Sequence, residues 1–273
     1  RIRVKDSVCM INHGFRGMGL LKDDPYRVSL LSSVVSGELS VRASLIDEEG
    51  MELGDNLIQL GGEDWQGYES GLTANRTVAR GGLKLCFKGQ GVVDIDMVSL
   101  FPVHTWKERP NGLRADLVQK LADLEPGFLR FPGGCIVEGR DLSKRYQWKN
   151  TVGDIGDRKL LINRWNDENS RATPDYFQTF GLGFFEYFQL AEDLGAEPLP
   201  ILNCGMACQF NTGELVAIED MEPYLQDALD LIEFANGPVD SRWGSVRAEM
   251  GHPEPFHLKY LGIGNEQWGA QYF

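Results

Sequence analysis

The hydrophobic periodicity of this chain changes near residue 110, and that change limits the folds it can adopt. Before it, apolar and polar residues alternate, as in residues 39–45 and 83–87, and a break is expected at the Gly-Gln-Gly of residues 89–91. A period of two is typical of half-buried strands. Several short strands without a helical stretch predict a β-sandwich. We therefore assign residues 1–101 to an all-β domain of a kind that often binds carbohydrate.

Trp65 and Tyr68 are the candidate sugar platform of this predicted sandwich. Aromatic rings of this kind can stack on a sugar, but they also pack on the edges of sandwiches. We favour the packing interpretation for both residues, because fold alone does not establish function.

Beyond residue 110, three apolar runs predict buried strands at residues 128–131, 198–202 and 258–263. Each run leads into a loop that is rich in Gly or Asn. Helical patterns alternate with these strands, and such alternation indicates parallel strands and an α/β architecture. A (β/α)₈ barrel and a doubly wound sheet both place their sites at the C-terminal ends of such strands, so the pattern leaves both open. Three strands are too few to close a barrel.

The intervening helices are marked by apolar stripes and by signals at their ends. The second helix, around Phe184, is expected to end at Gly195, and the third is expected to begin at Pro223. An apolar stripe at helical spacing defines one face of a helix. The stripes of the first and third helices are formed by Leu113, Leu117, Leu121 and Leu124 and by Leu225, Leu229 and Ile232.

Charge and composition exclude several functional classes. The formal net charge is −13 and the isoelectric point is about 4.8, with no cluster of Lys or Arg, which argues against a nucleic acid or an anionic membrane as partner. No apolar run is long enough to span a bilayer. The five cysteines are too few and too scattered for a disulfide framework, and the four histidines show no metal-ligand spacing. Neither a metal nor another cofactor is predicted.

Residues 262–269 (Gly-Ile-Gly-Asn-Glu-Gln-Trp-Gly) are the most informative stretch for chemistry. They place an amide, a carboxylate and an aromatic ring at the end of a predicted strand. The acid can protonate a glycosidic oxygen, the amide can bond a sugar hydroxyl, and the ring can stack on a sugar face. The alternative is an Asn-Glu turn with Trp268 in the core, and the octapeptide alone leaves both interpretations open.

Five segments, in their order and spacing, extend this prediction. Residues 128–139 are Phe-Leu-Arg-Phe-Pro-Gly-Gly-Cys-Ile-Val-Glu-Gly, and residues 262–266 are Gly-Ile-Gly-Asn-Glu. Together with residues 111–117, 181–187 and 191–198, they resemble the α-L-arabinofuranosidases of glycoside hydrolase family 51.

The resemblance covers most of residues 92–273. Residues 1–100 are more weakly similar to the carbohydrate-binding-like β-sandwich that many family members carry. The resemblance implies a (β/α)₈ TIM-barrel catalytic domain over residues 102–273, partial in this chain. Its first strand, with a substrate-binding glutamate, should precede the sandwich, and the strand with the nucleophilic glutamate should follow residue 273. By this count the chain holds about half a barrel and is incomplete as a catalyst.

The resemblance also implies roles for individual residues in a retaining mechanism with two glutamates. Glu266 corresponds to the general acid/base, and Asn265 corresponds to the amide that bonds the arabinose 2-hydroxyl. Arg130 and Cys135 correspond to lining of the sugar pocket, and Trp165, on a weaker match, to a residue that faces the aglycone.

The residues themselves leave alternatives open. Arg130 serves equally well in a structural ion pair, and Cys135 equally well as an inert buried thiol. Asn265 also suits a left-handed turn. Glu138 is considered as the second carboxylate and disfavoured, because it lies on a loop past a glycine turn.

The expected activity is removal of terminal non-reducing α-L-arabinofuranosyl residues from arabinose-containing plant polysaccharides such as arabinoxylan. Another retaining enzyme of the same clan, such as an endoglucanase, and a carbohydrate-binding fragment without turnover are the alternatives. The expected partner is the oligo- or polysaccharide substrate, with neither nucleic acid nor membrane, and a homo-oligomer stays open. A secreted or periplasmic parent protein suits a plant polysaccharide.

Overall fold

The computed structural model describes residues 1–166 and 177–272 of the chain, which forms two compact units, Arg1–Lys120 and Leu121–Phe273. The last strand of the first unit ends at Pro102, next to the expected domain boundary at residue 101, and the unit itself continues to Lys120. No helix among the described residues is long and apolar enough to cross a membrane.

The first unit is built from seven strands in one antiparallel sheet. Two long strands, β4 and β7, pair along most of their length; β5 and β6 extend the sheet beyond β4, and β1, β2 and β3 extend it beyond β7. The strands are β1 (Ile2–Val4), β2 (Ser7–Asn12), β3 (Met18–Leu20), β4 (Pro25–Ile46), β5 (Glu52–Leu60), β6 (Gln66–Thr73) and β7 (Val78–Pro102).

The sheet of the first unit folds over a single aliphatic core. Val28 from the first half of β4 and Val41 from its second half are both buried in one cluster, together with Phe87 of β7. The ladder between β4 and β7 is irregular between Val34 and Ser36, where the two halves meet. The predicted all-β character of this region is therefore confirmed.

The strand break predicted at residues 89–91 is wrong, because β7 continues through it. These residues keep their pairing with residues 37–39 of β4. Gly37, on the opposite strand, shows why glycine is needed in this part of the ladder. It has φ +84°, and a Cβ on it would lie 1.9 Å from the carbonyl oxygen of Gln90, so the glycine allows close approach of the strands rather than a turn.

A disulfide between Cys9 and Cys86 joins β2 to β7 where the two residues are directly paired. The two cysteines are 77 residues apart, so their spacing gave no sign of the bridge. Tyr68, one of the two candidate platform residues, donates its hydroxyl to the carbonyl oxygen of Gly61 at 2.8 Å and packs against the core, as a structural aromatic does.

The second unit holds three parallel strands, which confirms the predicted α/β architecture. Their order is β12–β11–β8, and the described part of the chain shows no closed barrel. Strands are β8 (Phe128–Phe131), β11 (Glu197–Leu202) and β12 (Gly262–Ile263), with a short hairpin of β9 (Leu161–Ile162) and β10 (Phe177–Gln178); helices are α1 (Ala115–Ala122), which begins in the first unit, α2 (Phe184–Leu194), α3 (Glu222–Asn236) and α4 (Arg242–Glu249).

Aromatic rings form the core between this sheet and its helices. Phe131 of β8 packs edge-on against Phe184 and Phe188 of α2, with ring centroids 5.1 and 5.3 Å apart. Trp148 is fully buried and lies 5.5 Å from the Phe234 ring of α3. Helix α2 ends where Gly195 adopts φ 66°, as the sequence predicted.

The apolar stripes predicted for two helices are not the faces that become buried. On α3 the exposed residues include Leu225 and Leu229, whereas Leu231 and Phe234 are buried. On α1 the only buried residue is Val118. These helices carry apolar residues on more than one face, so the stripe alone does not determine which face meets the core. The strand expected at residues 258–263 is also shorter, since only Gly262 and Ile263 pair.

Candidate active site

The three parallel strands end at the same edge of the sheet, and each end carries a polar side chain. Leu199 of β11 is in register with Arg130, and Leu202 is in register with Ile263. Arg130 on β8, Asn203 after β11 and Asn265 after β12 are therefore brought to one edge. This is the edge at which parallel α/β folds place their chemistry.

Arg130 is held by two hydrogen bonds at this edge. It donates from Nη2 to Oδ1 of Asn265 at 2.6 Å and from Nη1 to the carbonyl oxygen of Gly133 at 2.6 Å. The side chain is exposed rather than buried on the strand, so the ion pair considered for a buried guanidinium is not needed to offset desolvation. Its link to Asn265 is a positioning contact between two strand ends.

Asn265 is 94% buried, with 6% of its surface exposed, yet its amide nitrogen Nδ2 has no hydrogen-bond partner among the described residues. Its Oδ1 accepts from Arg130, and its backbone N–H donates to Oε1 of Gln267. These contacts fix the orientation of the amide. An unsatisfied buried donor costs about 1–3 kcal/mol, and a ligand that offers an acceptor oxygen recovers that cost. The left-handed turn considered for Asn265 falls instead on its neighbour, since Glu266 has φ 55° and Asn265 is not among the positive-φ residues.

Glu266 projects from that left-handed position and is exposed. The thiol of Cys135 donates to its Oε2 at 3.0 Å, across 131 residues of sequence. Cys135 is half-buried rather than buried, and it contacts the candidate acid; whether it lines the sugar pocket or is an inert thiol stays a prediction. The carboxylate thus has one oxygen held by the protein at an accessible position.

Glu138 lies close to this contact. The Cys135 sulfur and one carboxylate oxygen each of Glu138 and Glu266 lie within 4.8 Å of one another. Glu138 is only 3% exposed, and Gln267 donates from Nε2 to its Oε1 at 3.5 Å. A sulfur and two carboxylates are also a possible metal donor set, and in this structure the Cys135 thiol donates a hydrogen bond to Glu266.

Sequence reasoning missed two residues that support this arrangement. Gln267 connects Glu138 to the backbone of Asn265. Asn203 is buried at the end of β11 and donates from Nδ2 to the carbonyl oxygens of Val137 and Met206 at 3.1 and 3.0 Å. Gln267 directly follows Glu266, and Asn203 directly follows a predicted strand, so both positions could have been noticed in the sequence. Neither position indicates which residue the side chain bonds.

Cys204, which follows Asn203, belongs to the same surroundings. Burial raises the pKa of its thiol, and the carboxylate of Glu138 acts in the same direction. Cys204 is therefore a neutral thiol at neutral pH and not a nucleophile.

The two predicted tryptophans have different outcomes. Trp268 is 55% exposed, so the interpretation that placed it in the core is wrong. Trp165 is exposed in a short turn, with its backbone N–H bonded to Oδ1 of Asn163 at 3.0 Å. Residues 167–176, which follow it, lie outside the described residues, and its role toward an aglycone stays a prediction.

Comparison with known proteins finds a family and several relatives for this chain. The family described as "Alpha-L-arabinofuranosidase 1 domain" matches residues 120–272. The chain is 44% identical over 217 residues to an extracellular exo-alpha-L-arabinofuranosidase of Streptomyces chartreusis, covering 74% of this chain and 25% of that protein. It is 40% identical over 270 residues to alpha-L-arabinofuranosidase 1 of Arabidopsis thaliana, covering 97% of this chain and 38% of that protein.

A solved structure shares the fold over nearly the whole chain. The arabinose-bound α-L-arabinofuranosidase MgGH51 superimposes with a TM-score of 0.85 and 32% identity, covering 97% of this chain and 42% of that one. The chain therefore spans between about a quarter and two fifths of the lengths of these three relatives. With the family match over residues 120–272, these likenesses show that the chain belongs to the α-L-arabinofuranosidases of glycoside hydrolase family 51.

Proposed function

We propose that this chain carries the acid/base half of a retaining exo-α-L-arabinofuranosidase, with Glu266 as the proton donor. The observation that carries the proposal is the pairing of an accessible carboxylate with a buried, oriented amide whose Nδ2 has no partner in the described part of the chain. Family membership supports the same reaction class.

The chemistry follows from the positions of these groups. Glu266 protonates the glycosidic oxygen as the bond to the sugar breaks, and in the second step it accepts a proton from the attacking water. Asn265 donates from Nδ2 to the hydroxyl beside the reacting carbon, a contact that strengthens as positive charge develops on the sugar. Arg130 keeps the amide in the orientation that makes this donation possible.

We infer that the second carboxylate of the retaining pair comes from the part of a full-length relative that lies outside the region shared with this chain. Retaining enzymes hold their two carboxyl groups roughly 5–5.5 Å apart. Glu138 meets the distance, since its oxygen lies within 4.8 Å of that of Glu266. It is nevertheless enclosed, and a nucleophile must reach the anomeric carbon. Glu138 is instead a positioning residue that acts through Gln267.

The complete fold proposed here is a (β/α)₈ barrel, to which β8, β11 and β12 contribute three of the parallel strands. The relatives extend well beyond the region they share with this chain, which leaves room for the remaining strands. The substrate proposed is a terminal non-reducing α-L-arabinofuranosyl residue on a plant polysaccharide such as arabinoxylan. A neutral polysaccharide suits a chain with net charge −13.

The test uses a protein of the relatives' full length that contains this segment. In Glu266→Ala, we expect turnover of arabinosylated xylo-oligosaccharides to fall about 10²–10⁴-fold, because their leaving group needs a proton. Turnover of an activated aryl arabinofuranoside should fall much less. Added azide should then restore turnover of the aryl substrate and release an arabinofuranosyl azide of retained configuration, since the acid no longer repels an anionic nucleophile.

Equal losses on both substrates would refute the acid/base role of Glu266. Cellooligosaccharides serve as the control for the endoglucanase alternative, and cleavage of them in preference to arabinofuranosides would replace the proposed substrate. Sugar binding by the unaltered full-length protein without turnover of any of these substrates would establish the binding-module alternative.

A further inference from the structure

Two aromatic rings from different loops stand exposed next to the candidate acid. Trp268 follows Glu266 by two residues and is 55% exposed, and Phe210, in the loop after β11, is 85% exposed. Their ring centroids are 6.4 Å apart, with the ring planes inclined at 58°. Neither ring belongs to the aromatic core of the second unit.

The loops that carry these rings are fixed to each other. Gln209 accepts from the backbone N–H of Trp268 at 2.9 Å with Oε1 and donates to its carbonyl oxygen at 2.7 Å from Nε2. The Phe210 loop is also bonded to the loop after β8, because Thr212 donates its hydroxyl to the carbonyl oxygen of Arg140 at 2.8 Å. All these contacts use backbone atoms or neighbouring side chains, so none requires an aromatic side chain at 210 or 268.

Two ordered aromatic rings that stay exposed to solvent are unfavourable for the stability of the protein unless a ligand buries them. Burial of a large apolar side chain stabilises a protein, and these two exposed rings leave much of that stabilisation unrealised. Aromatic rings that are presented on ordered loops are typical of sugar-stacking surfaces, where the apolar C–H face of a pyranose lies on the ring.

The position of the pair selects which sugar it meets. Two consecutive Cα–Cα steps span at most about 7 Å, so the Trp268 backbone lies close to that of Glu266. The general acid faces the oxygen of the departing group, because it must protonate that oxygen. A ring beside the acid is therefore next to the leaving group rather than to the arabinose on the other side of the bond.

We propose that Phe210 and Trp268 form an aglycone platform that stacks a neutral pyranose of the polysaccharide backbone as it leaves. The proposal depends on the acid role of Glu266 and adds a specificity-determining site for the leaving group. A neutral pyranose is specified because the chain carries a net charge of −13 and the candidate acid, two residues before Trp268, is a carboxylate, both unfavourable for a uronic acid.

The test compares two substrates in a protein of the relatives' full length. One is an arabinosylated xylotriose, whose leaving group is a pyranose chain; the other is methyl α-L-arabinofuranoside, whose leaving group has no ring. In Phe210→Ala/Trp268→Ala we expect kcat/KM for the xylotriose substrate to fall about tenfold to a hundredfold, mainly through KM. Loss of an aromatic ring on which a nucleobase stacks costs about 1–3 kcal/mol, which corresponds to such factors, and we expect a similar loss for a stacked sugar. The methyl glycoside should change less than about threefold.

Phe15→Ala is the matched control, since Phe15 is also 85% exposed but lies in the first unit. It should leave both substrates unchanged. A protein with Trp268→Phe and Phe210→Tyr should keep most of the xylotriose activity, because stacking needs a flat aromatic face rather than one ring shape. A merely structural role would depend on the shape of each ring.

Equal losses on both substrates, or unchanged activity on the xylotriose, would overturn the platform while leaving the acid role of Glu266 intact. Failure of the unaltered protein to cleave either arabinofuranoside would refute the proposed function itself, and the platform with it.

Discussion

The two units of this chain are stabilised in different ways. The first unit has an aliphatic core under long antiparallel ladders. Several of its ion pairs, such as Arg1 with Asp94 and Arg80 with Glu48, lie on the surface, although Arg76 pairs with the enclosed Asp47. The second has an aromatic core and relies on enclosed polar anchors. Arg247 is fully buried there and donates to the carbonyl oxygens of Phe234, Gly237, His252 and Pro253.

The difference shows where individual side chains matter. A ladder of backbone hydrogen bonds tolerates change at most surface positions. Loops at the ends of three short parallel strands have few such bonds, so they depend on side chains such as Asn203 and Arg130. The unit that carries the candidate chemistry is therefore the one whose fold is set by specific polar contacts.

The largest expected effect tests the aromatic core. Trp148→Ala should lower the free energy of unfolding of the second unit by about 4 kcal/mol, because a fully buried ring is removed from a packed cluster. Hydrogen exchange resolved by segment should show lost protection in α2 and α3. Phe87→Ala is the matched change in the first unit, where the loss should fall on β4 and β7. A Trp148→Ala protein with unchanged protection would show that the ring is not central to that core.

The disulfide of the first unit gives the next effect. Replacing Cys9 and Cys86 together by Ala should lower stability by about 3 kcal/mol, because the bridge closes a long segment and restricts the unfolded chain. In reductant, the unaltered protein should melt at about the same temperature as the double variant. The melting temperature of the double variant should not change in reductant. If the unaltered protein melts identically with and without reductant, the ladder alone supports this edge.

Removing Lys149 from the ion-pair cluster of the second unit should lower the free energy of unfolding by about 2 kcal/mol. Lys149 bonds Asp227 at 2.8 Å and also bonds Asp230, so Lys149→Met leaves Asp230 without this cation and Asp227 with Arg145, 4.0 Å away. Burial by itself would raise the pKa of Asp230, but its hydrogen bonds to Lys149 and Gln226 prevail and lower it. Burial alone would lower the pKa of Lys149, and its two carboxylate partners prevail and raise it.

The pH dependence of this variant follows from those directions. The Asp230 contribution is present above its unfolded value of 3.8 and is lost as pH falls through the lower folded pKa. The Lys149 contribution is present below 10.5 and is lost as pH rises through the higher folded pKa. The stability gap between the two proteins should thus be widest between about pH 4 and pH 10 in urea unfolding series. A gap that is constant below pH 4 would exclude the ion pair as its cause.

The smallest effect is expected at Trp65. Trp65→Ala should change stability by less than about 0.5 kcal/mol, because the ring is exposed and removes little packing. Retardation of the protein in arabinoxylan-containing gels should also stay the same. Weaker retardation would show that the first unit carries a sugar platform and that its surface, too, depends on particular side chains.

Much of the fold was predictable from local pattern. The alternation that marks β4 and β7, the end of α2 at Gly195 and the parallel strands after residue 128 all follow from residues near one another in sequence. The errors came where two local solutions compete. The glycines of residues 89–91 are compatible both with the end of a strand and with the close approach of two paired strands. Helix α3 has apolar residues on two faces, and only one of them is buried.

For the site, the sequence by itself determined that Asn265 and Glu266 stand at the end of a strand, since a short apolar run followed by glycines fixes that position in the backbone. The tertiary structure alone decided which side chains meet there. Arg130 reaches Asn265 across 135 residues, and Cys135 reaches Glu266 across 131. Backbone preference is set by neighbours along the chain, whereas contact between distant side chains depends on strand order and register, which only the packed sheet establishes.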